Sequence, residues 1–137
     1  MIYPHIVVGA GASGLFFSAA AENSGGGLIL EKKSLPGIKF LLTGNGQCNI
    51  THGGSIKDFI PCYGPGGRVI RSCLYKYNNL SLIEFLHKNG VDTFIREDGK
   101  IFPKSMKARE ILEMLLLKAE ENGFLLRCDT EVTAVRR

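Results

Sequence analysis

Three glycines near the amino terminus, Gly9, Gly11 and Gly14, and a glutamate 22 residues after the first, Glu31, have the types and spacing that most directly imply chemistry. In Gly9-Ala10-Gly11-Ala12-Ser13-Gly14 the G-x-G-x-x-G register gives each glycine a task. Gly9 turns the chain sharply out of a strand, Gly11 lets the backbone approach a pyrophosphate, and Gly14 lets a helix pack closely on the sheet. A helix opening near Ser13 offers free N–H groups and a partial positive charge to the phosphates. Glu31 stands where an acid would hold ribose hydroxyls, which disfavours a 2′-phosphate and favours FAD or NAD over NADP. The alternative is a chance glycine turn with Glu31 as a surface charge.

A second stretch has unusual chemistry. Phe40-Leu41-Leu42 runs directly into Thr43-Gly44-Asn45-Gly46-Gln47-Cys48-Asn49-Ile50-Thr51. The latter part is too polar for a core strand, too long for a hairpin turn, and lacks the spacing of a helix face. Following closely on the strand that ends at Glu31, this loop would run back over the carboxyl ends of the strands, where a dinucleotide sits. Its neutral donors and acceptors, and the N–H groups its glycines expose, suit a flavin and a pyrophosphate better than a metal. By residue type alone, an ordinary polar surface loop explains it equally well.

The elements that must position these residues can be read around them. Ile6-Val7-Val8 forms a short buried strand, a helix runs from about Ser13 to Asn23, and Leu28-Ile29-Leu30 forms a second strand. Together they make a β-α-β unit of the size a parallel crossover needs. Residues 32–79 read as mostly loop with short helical pieces, and Cys62 to Gly67 as a turn-rich link. Ser81 to Glu84 reads as a capping box opening a helix to Asn89. Phe94-Ile95 and Lys100-Ile101-Phe102 flank the turn Glu97-Asp98-Gly99 as a hairpin. Met106 to Asn122 is a helix with one broad apolar face, stopped by Gly123. Phe124 to Arg127 and Glu131 to Val135 are two further strands. The expected architecture is α/β with a parallel three-layer core.

Composition excludes several classes. A length of 137 residues fits one domain with a real core. Glycine is in excess, 17 residues or about 12% against a usual ~7%. The net charge of +4 is spread thinly, with no basic run and no nucleic-acid-binding motif, so no nucleic-acid partner is expected. Cys48, Cys62, Cys73 and Cys128 form no C-x-x-C pair, and no histidine stands at metal spacing, which argues against zinc and for free thiols in the cytoplasm. Ile6 to Ala21 is apolar but broken by glycines, short, and without a basic lead-in, so neither a signal peptide nor a membrane span is expected. His5, His87 and Gly64 to Gly67 read as structural.

The combination of the glycine register, Glu31-Lys32, "GIKFLLTGNGQCNIT" and "EDGKIFPKSMKAREIL" resembles the HI0933-like (YhiN-type) family of FAD-containing, NAD(P)-linked oxidoreductases. That family's pattern G-x-K-x-x-x-T-G-x-G-R-C-N-x-T is matched by Gly37, Lys39, Thr43, Gly44, Gly46, Cys48, Asn49 and Thr51. Glu97, Gly99, Phe102, Pro103, Ser105, Lys107 and Ala108 match its later pattern. The resemblance implies a Rossmann-like, glutathione-reductase-like FAD-binding domain, a parallel sheet flanked by helices, with a loop-rich insertion at about 32–105. It also implies that the Thr43–Asn49 loop contacts the flavin side of the cofactor, and that Val132, in the strand after Asp129, sets its backbone against the adenine.

The implied cofactor-binding residues are Gly9, Gly11, Ala12, Ser13, Gly14, Glu31, Lys32, Lys39, Thr43, Gly44, Gly46, Cys48, Asn49 and Val132. NAD(P)H would be the electron donor in a complete enzyme, passing hydride through flavin to an unknown small-molecule acceptor. No catalytic side chain stands out, and Cys48 lacks a partner thiol, so it is assigned a packing role. Two positions depart from the family: Gln47 replaces an arginine that could hold a phosphate or a reduced, anionic flavin, and His52 replaces an asparagine. Family chains also continue well past residue 137. The resemblance therefore implies an incomplete, N-terminal portion of the domain, either a truncated product or one whose unfinished sheet self-association or a partner covers. The rival readings are an inactive fragment that binds FAD weakly or not at all, and a plain NAD-binding Rossmann domain.

Overall fold

The computed structural model describes residues 2–136. Its centre is a three-stranded parallel sheet of β1 (Ile6–Val8), β2 (Gly27–Leu30) and β6 (Phe124–Arg127), with β2 in the middle. Val7, Ile29 and Leu126 lie side by side across it. These are the apolar, β-branched-rich runs expected of strands that bury a face. Two crossovers build the sheet in one direction, and right-handed connections of that kind put both their helices on the same face. The first crossover carries α1 (Ala12–Ala20); the second ends in α6 (Ala108–Glu121).

α1 and α6 pack against each other over the sheet. Leu15 and Ala19 of α1 meet Ile111, Leu115 and Ala119 of α6 in one core with Ile29 and Phe124. The α6 residues fall at i and i+4, as the sequence pattern requires of a helix with one apolar face. At the far end of α1 the Asn122 amide donates to the carbonyls of Ser18 and Ala19, satisfying acceptors that the helix end leaves open.

The opposite face of the sheet carries Ile6, Val8 and Leu125, which remain 60%, 63% and 53% exposed. The described residues therefore form two layers, sheet and helices, where the sequence reading expected three. The second expected C-terminal strand is also absent. After β6 the N–H groups of Asp129 and Thr130 donate to the carbonyls of Lys33 and Glu31, which carries the chain across the end of β2. Residues 131–136 then pair with no described strand. A strand forms only where a neighbour accepts its ladder, and alternating apolar residues alone do not supply one.

Between β2 and α6 lies a mixed insertion. α2 (Ile38–Leu41) runs into a tight 3₁₀ turn at Thr43–Gly46. β3 (Thr51–His52) follows, then α3 (Ile56–Cys62), α4 (Gly67–Lys76), α5 (Asn79–Lys88), β4 (Thr93–Ile95) and β5 (Lys100–Pro103). β3, β5 and β4 form a second, antiparallel sheet whose hairpin is the one expected at Glu97-Asp98-Gly99. α4 is longer than expected, a ten-residue helix in a stretch that the sequence reads as mostly loop with short helical pieces. The run Gly64-Pro65-Gly66-Gly67 looks like punctuation but forms a 3₁₀ turn leading into it. α5 also begins earlier than expected. Its cap is Asn78, whose side chain accepts from the Ser81 N–H, so Ser81 lies inside the first turn rather than opening it.

Candidate functional site

The site begins at the turn from β1 into α1. Gly9 has φ +95, a conformation side chains rarely adopt, and its N–H donates to the Leu30 carbonyl at 2.8 Å. Gly14 has no spare room: a Cβ there would overlap the Gly9 carbonyl oxygen and lie 3.0 Å from Val7 Cγ1. Gly11 is the reverse case, since a Cβ there would meet nothing within 4 Å. The three glycines thus divide into a turn, a tight packing contact and an open flank beside the first turn of α1. That first turn has no side-chain cap, so its N–H groups face outward.

Glu31 is tied to this turn. One carboxylate oxygen accepts from the Ala10 N–H at 2.8 Å and the other from the Lys33 N–H at 2.9 Å. These two backbone bonds, Lys33 first, hold its pKa below the ordinary carboxylate value. The Gly37 N–H donates to the Ala10 carbonyl at 2.8 Å, which fastens the segment after β2 back onto the glycine turn.

Two cavities flank the start of α1. The first, about 370 Å³, is bordered by Gly11, Glu31, Lys32 and Lys39, with Gly37 and Leu42. The second, about 420 Å³, is bordered by Ala12 and Ser13 on the α1 side and by Thr43, Cys48 and Asn49 opposite. Its remaining wall is apolar, with Phe16, Tyr77 and Leu115 among its residues. Adjacent residues of one helical turn therefore border both spaces, Gly11 the first and Ala12 the second.

The loop between the cavities is conformationally costly. Gly44, Asn45, Gly46 and Cys48 all have positive φ, and for Asn45 and Cys48 that is uncommon in an L residue. The loop is held by the Cys48 N–H donating to the Thr43 carbonyl and by the Thr43 hydroxyl donating to the Phe40 carbonyl at 2.6 Å. Backbone strain of this kind persists where the surroundings over-determine it, and it concentrates at ligand sites. Cys48 is buried, and burial pushes its thiol pKa up, against a smaller downward pull from Thr43. That environment disfavours a reactive thiolate.

Of the fourteen residues singled out in the sequence, Gly11, Glu31, Lys32 and Lys39 border the first cavity. Ala12, Ser13, Thr43, Cys48 and Asn49 border the second. Gly9, Gly14, Gly44 and Gly46 shape the turns behind them. Val132 borders neither cavity and lies in no strand, which corrects the expectation that such a strand would present it. Gln47 closes the 3₁₀ turn, its N–H donating to the Gly44 carbonyl. His52 lies in β3 of the second sheet, with Nε2 2.9 Å from the Asp98 carbonyl, and borders neither cavity. Sequence reasoning missed Phe16, in the first helix, and Tyr77, in the stretch read as mostly loop, because an aromatic in either setting gives no sign of facing a cavity. Among the described residues there is no cluster of His, Cys, Asp or Glu able to hold a metal, and no helix is long and apolar enough to cross a membrane.

The chain is 32% identical over 90% of its length to a 3-dehydro-bile acid delta(4,6)-reductase of Clostridium scindens, covering 34% of that protein. It is 28% identical over 96% of its length to a ribosomal RNA dihydrouridine synthase of Escherichia coli, covering 32% of it. The chain thus spans about a third of the length of the curated relatives it matches. Its fold is similar to the crystal structure of THI4 from Thermovibrio ammonificans, with a TM-score of 0.56 at 18% identity over 90% of this chain and 37% of that one. The model of the HI0933-like protein Rossmann domain matches residues 3–137. With its parallel sheet, its glycine turn and that match across nearly its whole length, the chain belongs to the HI0933-like family.

Proposed function

We propose that residues 1–137 are the N-terminal FAD-binding portion of a flavoprotein oxidoreductase. The observation that carries this reading is the pair of cavities meeting at the first turn of α1. A dinucleotide is two ring systems joined by a pyrophosphate, and this turn has a cavity on each side and free N–H groups between them. The open flank of Gly11 gives the pyrophosphate room to approach. Glu31, already fixed by two N–H groups, keeps lone pairs to accept from ribose hydroxyls, and Lys39 supplies a cation at the phosphate side.

On this reading the second cavity takes the flavin side. Its largely apolar wall suits the face of a ring system, and Thr43 and Asn49 provide neutral polar atoms to orient it. Bound FAD would supply the hydride chemistry, taking a hydride from a nicotinamide cofactor and passing it to an acceptor. Only the class, oxidoreductase, is carried over from the reductase and dihydrouridine synthase among its relatives.

The rival is a domain that takes NAD in the same turn. Thr43→Val combined with Asn49→Leu separates the two, measured by titrating the protein with FAD and with NAD. The flavin reading expects FAD affinity to fall at least about tenfold, the loss of one or two hydrogen bonds. Unchanged FAD affinity in the double variant, or tight NAD binding without FAD binding, would overturn it.

A further inference from the structure

The sequence holds three Asn-Gly pairs, Asn45-Gly46, Asn89-Gly90 and Asn122-Gly123. In such a pair the glycine nitrogen can attack the asparagine Cγ, because the glycine has no side chain to block the approach. A new C–N bond closes a cyclic imide, the bond from Cγ to the side-chain nitrogen breaks, and ammonia leaves with the proton of the glycine N–H. Water then opens the imide at either carbonyl. The product is aspartate or, where the chain is rerouted through the side chain, isoaspartate. The asparagine side chain must first swing over its own backbone, so whatever holds its amide holds back the reaction.

The fold holds two of the three. Asn89 and Asn122 are half-buried caps at the ends of α5 and α6. The Asn89 amide donates to the Phe85 carbonyl at 2.7 Å. The Asn122 amide donates to the Ser18 and Ala19 carbonyls at 3.0 and 2.9 Å, tying the end of α6 to α1. Freeing either amide means loosening a helix end.

Asn45 is placed differently. Both it and Gly46 are exposed, and among the described residues the Asn45 side chain makes no hydrogen bond. It has φ +57 within the 3₁₀ turn, where Gly44 and Gly46 also have positive φ. Every residue from Leu42 to Gly46 is exposed, so this turn can open without opening the core.

Two backbone bonds reach across Asn45. The Gln47 N–H donates to the Gly44 carbonyl and the Cys48 N–H to the Thr43 carbonyl, both at 3.1 Å. Isoaspartate lengthens the backbone between these partners by a methylene, and a turn this tight cannot keep both bonds. Their loss frees the buried Cys48 and shifts Thr43 and Asn49, which border the second cavity.

We propose that Asn45-Gly46 is a site of spontaneous covalent modification, whose conversion to isoaspartate opens the Thr43–Asn49 loop and uncovers Cys48. Water is the only co-reactant. The reaction needs no cofactor and so stands apart from the flavin reading; where that reading holds, the conversion dismantles the flavin side of the site irreversibly.

The test ages the 137-residue chain in mildly alkaline buffer without flavin and follows each Asn-Gly pair by peptide mapping with mass spectrometry. Asn45 should convert at least about tenfold faster than Asn89 or Asn122, whose amides are hydrogen-bonded in the fold. In denaturant the three rates should converge, because the fold and not the dipeptide sets the difference. Samples of the aged chain that circular dichroism shows to be folded are then treated with a thiol reagent at neutral pH. The labelled fraction of Cys48 should rise with the isoaspartate fraction at position 45. Asn45→Gln, whose longer side chain closes its ring far more slowly, should stay unconverted with Cys48 protected. Absence of conversion at Asn45 in the folded chain, or equal rates at all three pairs, would overturn the proposal. So would a Cys48 that stays protected in converted molecules.

Discussion

Gly11 and Gly14 lie three residues apart in one motif, and the geometry gives their alanine variants opposite consequences. At Gly14 a methyl group would overlap the Gly9 carbonyl and press on Val7, so α1 must retreat from β1 by on the order of 1 Å. Overpacking of that size costs about 1–3 kcal/mol, against which alanine recovers up to about 1 kcal/mol in helix propensity. With that gain the net loss reaches about 2 kcal/mol, which lowers the melting temperature of a chain this size by up to roughly 7 °C. At Gly11 the methyl group meets no protein atom and the backbone, with φ −88, is open to any L residue. The stability change there stays below about 1 kcal/mol. Yet the Gly11 methyl occupies the space through which a pyrophosphate would approach. Thermal melts and FAD titrations of both variants therefore form one assay. Gly14→Ala should lose stability and binding together, whereas Gly11→Ala should melt like the parent and bind FAD at least about tenfold more weakly. A Gly11→Ala protein that binds FAD normally would refute the assignment of that flank to the phosphates.

Other outcomes follow from single contacts. Glu31 has a lowered pKa, so its contribution to stability is present above the unfolded value of 4.5 and is lost as pH falls through the folded value. Glu31→Gln should cost about 1–2 kcal/mol at neutral pH in denaturant unfolding, moderated by solvent screening, and should flatten the decline below pH 4.5. Leu115→Ala, in the buried seam between α1 and α6, should cost about 2–5 kcal/mol by the same measurement. A thiol reagent at neutral pH should modify exposed Cys62 and Cys73 quickly. It should reach Cys48 only on unfolding, because that side chain is buried and its pKa is raised.

Much of the fold is legible because its signals are local. The run Ile6-Val7-Val8, the glycine turn and Leu28-Ile29-Leu30 each specify their element through nearest neighbours, and the apolar rows of α6 do the same. α4 was hidden because its preceding glycines and proline resemble a terminator, and its apolar side is only Ile70 and Leu74. The strand expected after Asp129 failed for a different reason, since pairing depends on a neighbour that local sequence cannot supply. At the site, polar residues in the Thr43–Asn49 loop were visible by type. Tyr77 came to the cavity only through the path of α4 and α5.

The central claim is that the two cavities at the start of α1 hold FAD. Its most direct test is the visible absorption spectrum of the purified chain after incubation with excess FAD and desalting. The account predicts a retained flavin band that is lost in Gly11→Ala. A folded protein that remains colourless after that treatment would contradict it.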